Sequence, residues 1–141
     1  MKKELFERLG DYKEIKTSSV VKEELEEQGY EVVFPKNNEL QIDIDSEEEY
    51  QIFKEQYEIL CNHWGKQSFE IKEEPSFSGL PHRHIVVTCV YMENIFEDIY
   101  KRIAFQACLG SDVKREMLNL LAVEIYEDKT PSLFIKKKGE K

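Results

Sequence analysis

The chain has 141 residues, 40% of them hydrophobic and 35% charged, which fits one folded domain with a heavily solvated surface and excludes a fibrous or disordered chain. Its net charge of −9 excludes a protein that grips nucleic acid over its whole surface, because phosphate binding needs clustered Lys and Arg. No apolar run approaches the roughly 20 residues of a membrane span, and MKKELFERLG has no apolar stretch behind its basic residues, so a cytoplasmic protein with no membrane partner is expected.

One domain over 1–141 is expected, with a helical segment at 1–29, a core over about 30–136 and a polar tail at 137–141. After a short helix at 3–9, TSSVVKEELEEQ at 17–28 opens on Thr and Ser as N-cap candidates and meets Gly29 as its stop. YEVVF and ELQIDID flank a Pro-Lys-Asn-Asn turn and read as a hairpin. Ser46 followed by Glu47, Glu48 and Glu49 is a capping box that starts a helix running to His63 or Trp64, with Tyr50, Phe53, Tyr57 and Leu60 as its apolar face. QSFEIKE at 67–73 and HRHIVVTCVY at 82–91 read as a second pair of strands across the loop EPSFSGLP. A helix from Asn94 to about Leu109, a Gly110-Ser111-Asp112 break, a helix over 113–121 and a strand SLFIK at 132–136 complete the chain. This order predicts an α+β fold, an antiparallel or mixed sheet with helices covering one face.

In QIDID the side chains of Asp43 and Asp45 share one face of a strand and Ile42 and Ile44 the other. Two carboxylates about 7 Å apart repel unless a cation sits near them, and hard divalent ions such as Mg²⁺ or Mn²⁺ prefer such oxygen ligands. The plain alternative is the solvent face of an amphipathic strand. In SFSGLPHRH a Ser-Gly-Pro turn leads into a strand on which His82 and His84 share a face and Arg83 points the other way. Histidine beside such a turn suits a phosphate or a reacting oxygen, with an exposed strand end as the alternative. Arg83, Lys101, Arg102, Lys114 and Arg115 are candidate cationic donors, each more readily read as a solvated surface residue.

An acidic D-x-D strand followed by a helix and an S-x-H-like strand start resembles the catalytic core of the archaeo-eukaryotic primase superfamily, in the minimal form found among phage and plasmid primase-polymerases. The matching residues are Asp43 and Asp45 in LQIDIDSEEEY and Ser78, His82 and His84 in SFSGLPHRHIVV; RIAFQACLGSDVKREML resembles the later helical stretch, with Asp112 as a third acid. The resemblance implies an RRM-like sheet, Mg²⁺ or Mn²⁺ held by Asp43, Asp45 and Asp112, and His84 on the triphosphate of an incoming nucleotide, with His82 its rival. It also implies nucleoside triphosphates, a nucleic-acid template and other replication proteins as partners, in a bacterial, archaeal or phage-infected cell. Ser78, His82, Arg83, Lys114 and Arg115 are then the candidate nucleotide contacts.

Three other readings compete. Glu70-Ile71-Lys72 supplies the E-x-K triplet of a metal-dependent nuclease, with Asp43 or Asp45 as the distant acid. Cys61, His63, His82 and His84 are all zinc-ligand types. The three cysteines Cys61, Cys89 and Cys108 form no CxxC pair, which points away from a zinc ribbon or disulfide framework and towards a reducing compartment. A non-catalytic module would instead bind protein or single-stranded nucleic acid through Tyr30, Phe34, Phe69 and Phe77.

Overall fold

The computed structural model describes residues 17–75 and 79–137, so the helix expected at 3–9 and the side chain of Ser78 lie outside the described residues. The elements are α1 (Ser18–Glu27), β1 (Tyr30–Val33), β2 (Glu39–Ile44), α2 (Glu47–Trp64), β3 (Phe69–Pro75), β4 (Arg83–Cys89), α3 (Ile99–Cys108), α4 (Val113–Tyr126) and β5 (Phe134–Lys137). The α+β class is as expected, but the strands divide into two antiparallel sheets, β1-β5 and β2-β4-β3.

The alternation read from QIDID sets the core. Leu40, Ile42 and Ile44 of β2 and Ile85, Val87 and Cys89 of β4 are completely buried, and α2 closes over them with Phe53. Each such aliphatic side chain contributes about 1.5–3 kcal/mol on leaving water. The capping box forms in modified shape: Ser46 Oγ accepts from Glu49 N at 3.1 Å, whereas Glu49 Oε1 reaches one residue further back and accepts from Asp45 N at 2.7 Å.

The hairpin expected between YEVVF and ELQIDID does not form. β2 pairs with β4 and β1 pairs with β5, Val33 opposite Phe134. The intervening turn is taken by other elements: Asn37 O accepts from Phe96 N, Asn38 O from Cys89 N, and Lys36 O from the Arg102 guanidinium. Pro35 has no N–H with which to extend a ladder.

The outer edge of β2 is occupied as well, although no strand among the described residues lies there. Glu39 O accepts from Arg102 Nε, Gln41 N donates to Gln106 Oε1, Gln41 O accepts from Arg115 Nη1, Asp43 N donates to Ser111 Oγ, and Asp43 O accepts from Asp112 N. Side chains of α3 and α4 and the turn between them thus meet the ladder groups one by one, which removes the need for a further strand at that edge. An RRM-like sheet has four strands in one sheet; among the described residues three are joined in the larger sheet.

Three local expectations also shift. The helix read from Asn94 begins at Ile99, because the Asp98 carboxylate accepts from both Tyr100 N and Lys101 N, and Ile95 and Phe96 plug the core instead of forming a first turn. The following helix continues to Tyr126, past the 121 expected. Thr17 precedes α1 without capping it, and Asp128 takes that place, accepting from Ser18 N and Ser18 Oγ at 2.7 Å each.

Gly110 closes α3 at φ +90°, and a Cβ there would lie 3.2 Å from Ile52 Cγ2 and 3.3 Å from Phe53 N of α2. Both the left-handed backbone and the close approach favour glycine. Gly110→Ala is expected to lower stability by about 1–3 kcal/mol in urea unfolding; an unchanged midpoint would show that the turn gives way freely.

Candidate metal centre

β2 carries Asp43 at its end and releases Asp45 just beyond it, and both point away from the buried isoleucines. Asp112 arrives from the other side as the N-cap of α4, its Oδ1 accepting from Lys114 N at 3.2 Å. Each of the three carboxylates offers an oxygen, and these oxygens lie within 4.8 Å of one another. Among the described residues no other group of three or more His, Cys, Asp or Glu side chains converges in this way.

Two histidines flank the acids. His84 is the cross-strand partner of Asp43, its Nε2 3.7 Å from Asp43 Oδ1, and His82 Nδ1 lies 3.1 Å from Asp45 Oδ1. The His84 ring stacks on Phe134 at 4.0 Å between centroids and 2° between planes. β5 therefore fixes the orientation of that imidazole.

The electrostatics are those of crowded acids. Burial pushes Asp43 up to about 6; the Arg115 charge opposes this, while Asp45, Asp112 and Glu49 add to it. Asp112 is likewise raised to about 6, first by burial and then by Asp45 and Glu49, with the Lys114 backbone amide pulling the other way. Ligand oxygens on Mg²⁺ at about 2.1 Å sit about 3–4 Å apart, so modest side-chain rotation would bring all three acids onto one ion. The three carboxylates offer an all-oxygen donor set, partly open to water, that could hold a hard cation.

No family model, curated protein or solved structure matches this chain.

The expected cationic donors are mostly engaged elsewhere. Arg83 lies on the α2 side, paired with Glu47 and Glu73 at 2.8 Å each and stacked 3.8 Å over the Tyr50 ring. Arg115 spends its guanidinium on Gln41 O, Gln41 Oε1, Leu133 O and Glu116 Oε2. Arg102 holds the turn before β2, and Lys101 is exposed. Lys114 is half-buried in the first turn of α4, where its backbone amide serves Asp112.

The rival ligand sets are not assembled. Glu70 and Lys72 sit on β3, beyond β4 and opposite Thr88 and Val86, so two strand spacings, roughly 10 Å, separate that strand from β2; Lys72 pairs with Glu74. Cys61 is buried near the end of α2 and forms no group with His63, His82 and His84. Of the proposed binding aromatics Phe69 is core, Tyr30 and Phe34 are half-buried, and Phe77 lies outside the described residues.

Several residues that shape the centre gave no signal in the sequence. Glu49 shows there only as a capping residue, whereas in the fold it adds a fourth negative charge near the acids. Ser111, Glu116, Gln41 and Gln106 form a buried hydrogen-bonded group beside Asp43. The pairing of Ser111 with Asp43 joins residues remote in the chain, and no local pattern encodes it.

Proposed function

We propose that this domain binds Mg²⁺ or Mn²⁺ through Asp43, Asp45 and Asp112 and acts on the phosphates of a nucleoside triphosphate, as a nucleotidyltransferase resembling the primase-polymerase core. The observation that carries the reading is the convergence, from β2 and from the start of α4, of three carboxylate oxygens within 4.8 Å. Phosphoryl and nucleotidyl transfer needs chiefly metal ions on the attacking and leaving oxygens, so a few acids and a phosphate contact are the essential protein parts. The ion's part is to neutralise charge on those oxygens.

In this reading Asp43 and Asp45 are the principal ligands, Asp112 is the third, and His84 orders Asp43 and faces the phosphate chain. His82 and Ser78, with Lys114, complete the nucleotide contacts. Arg83 and Arg115 leave that role, since Arg83 is paired with Glu47 and Glu73 on the α2 side and Arg115 with the main chain at Gln41 and Leu133. A nucleic-acid template, other replication proteins and a cytoplasmic setting belong to the same reading. Among the described residues no helix is long and apolar enough to cross a membrane.

Calorimetric titration with Mn²⁺ tests it. The wild-type protein is expected to take up the ion, and Asp43→Ala/Asp45→Ala to weaken uptake by on the order of 100-fold or more, with nucleoside triphosphate binding following the metal. Primer-extension and nuclease assays then separate nucleotidyl transfer from hydrolysis. Mn²⁺ binding that survives both substitutions removes the site.

A further inference from the structure

We propose that Ser111 is a positioning residue for the acidic centre, holding Asp43 and Asp112 in one geometry through a hydroxyl whose direction is set by Glu116. The inference rests on the cation-site reading above.

Ser111 is only 1% exposed and Glu116 only 3%. The hydroxyl has one proton, which it gives to Glu116 Oε2 at 2.7 Å; its lone pairs are thereby left facing Asp43 N, which donates to it at 3.0 Å, and Arg115 Nη1 at 3.4 Å. A buried carboxylate is a strong acceptor, so the rotor is fixed rather than free. The next residue completes the clamp, because Asp112 N donates to Asp43 O at 2.7 Å. Two consecutive residues thus hold the two outward-facing backbone groups of Asp43, and the second of them carries the third carboxylate.

Glu116 is itself held by Gln106 Nε2 at 2.9 Å, Asn119 Nδ2 at 3.1 Å and Arg115 Nη1 at 2.8 Å. The backbone of Asp43 and that of Asp112 are therefore tied together from the interior, behind the acids. Outer groups of this kind tune a metal site without touching the ion.

Mn²⁺ affinity of the full chain, measured by calorimetry, tests this. Ser111→Ala is expected to weaken binding by about 10–100-fold, and Ser111→Thr, which keeps the hydroxyl, to stay within about threefold of wild type. Arg102→Met removes an equivalent edge contact at the far end of β2 and is expected to leave affinity within about threefold as well, which a general loosening of the fold would not allow. Should the alanine variant not fold, Ser111→Cys, similar in size but a weak acceptor, takes its place with the same expected loss. The proposal is overturned by wild-type affinity in Ser111→Ala or its cysteine substitute, by a threonine variant as weak as the alanine one, or by an equal loss in Arg102→Met. A wild-type protein that takes up no Mn²⁺ overturns the cation site itself, and does so without any Ser111 variant.

Discussion

Asp43→Asn is expected to make the metal-free protein more stable at pH 7.5 while removing its affinity for divalent cations. In the fold, burial raises Asp43 from 3.8 to about 6. A carboxyl raised in this way favours the native state while it is protonated, and that contribution is complete below about pH 4. It is lost as the pH climbs through 6, where the native protein must hold an ion that the unfolded chain ionises freely. At 1.4 kcal/mol per unit, and with screening at its water-exposed side, the loss comes to about 1–3 kcal/mol above pH 7. Asparagine keeps the shape and carries no charge. Urea unfolding in the presence of a chelator should therefore show the variant ahead of wild type at pH 7.5, with the gap narrowing steadily towards pH 4; a gap that does not change with pH would show that Asp43 is not strained by burial. Asp112, also raised to about 6, predicts the same trend for Asp112→Asn. Cation binding should fade in wild type as the pH drops below about 6, because the ligands must first lose their protons.

Arg115→Ala carries the largest expected loss of stability. The side chain is 14% exposed and its partner Glu116 only 3%. Its guanidinium bonds the main chain of β2 at Gln41 and of the segment before β5 at Leu133, and it lies 5.0 Å from the Phe134 ring that stacks on His84. Removing it leaves Glu116 as a buried charge without its counter-ion and leaves the Gln41 carbonyl without its donor. Breaking one side of such a pair costs about 3–5 kcal/mol. Arg115→Lys should recover only part of this, because a single ammonium cannot reproduce a planar fork that serves five acceptors. Chemical unfolding followed by circular dichroism gives the number, and a cost under about 1 kcal/mol would mean that the two sheets do not depend on this brace.

Much of the local structure was legible because its causes are local. Ser46-Glu47-Glu48-Glu49 fixed where α2 begins, and the alternation in QIDID separated the aspartates from the isoleucines, since a strand allows no other division of faces. The start of α3 at Asp98 is not legible locally, because Asn94 is also a good cap type and only the burial of Ile95 and Phe96 in the core excludes a first turn there. The expected hairpin fails for a similar reason: a Pro-Asn turn between two β-rich runs is a sound local signal, yet it is silent on whether Arg102, Cys89 and Phe96 will claim the turn's carbonyls.

Strand alternation alone dictates the face on which Asp43 and Asp45 stand, and the residue types of the candidate centre are plain in QIDID and SFSGLPHRH. Asp112 enters through resemblance alone and without a place in space. Long-range packing, by contrast, makes the turn after α3 fill the open edge of β2 and so brings Asp112 beside Asp43, and it engages Arg83 and Arg115 with other partners. The reason is physical: periodicity and capping act over a few residues, whereas the unmet amides and carbonyls of a strand edge accept any donor or acceptor the chain can deliver, from any distance along it.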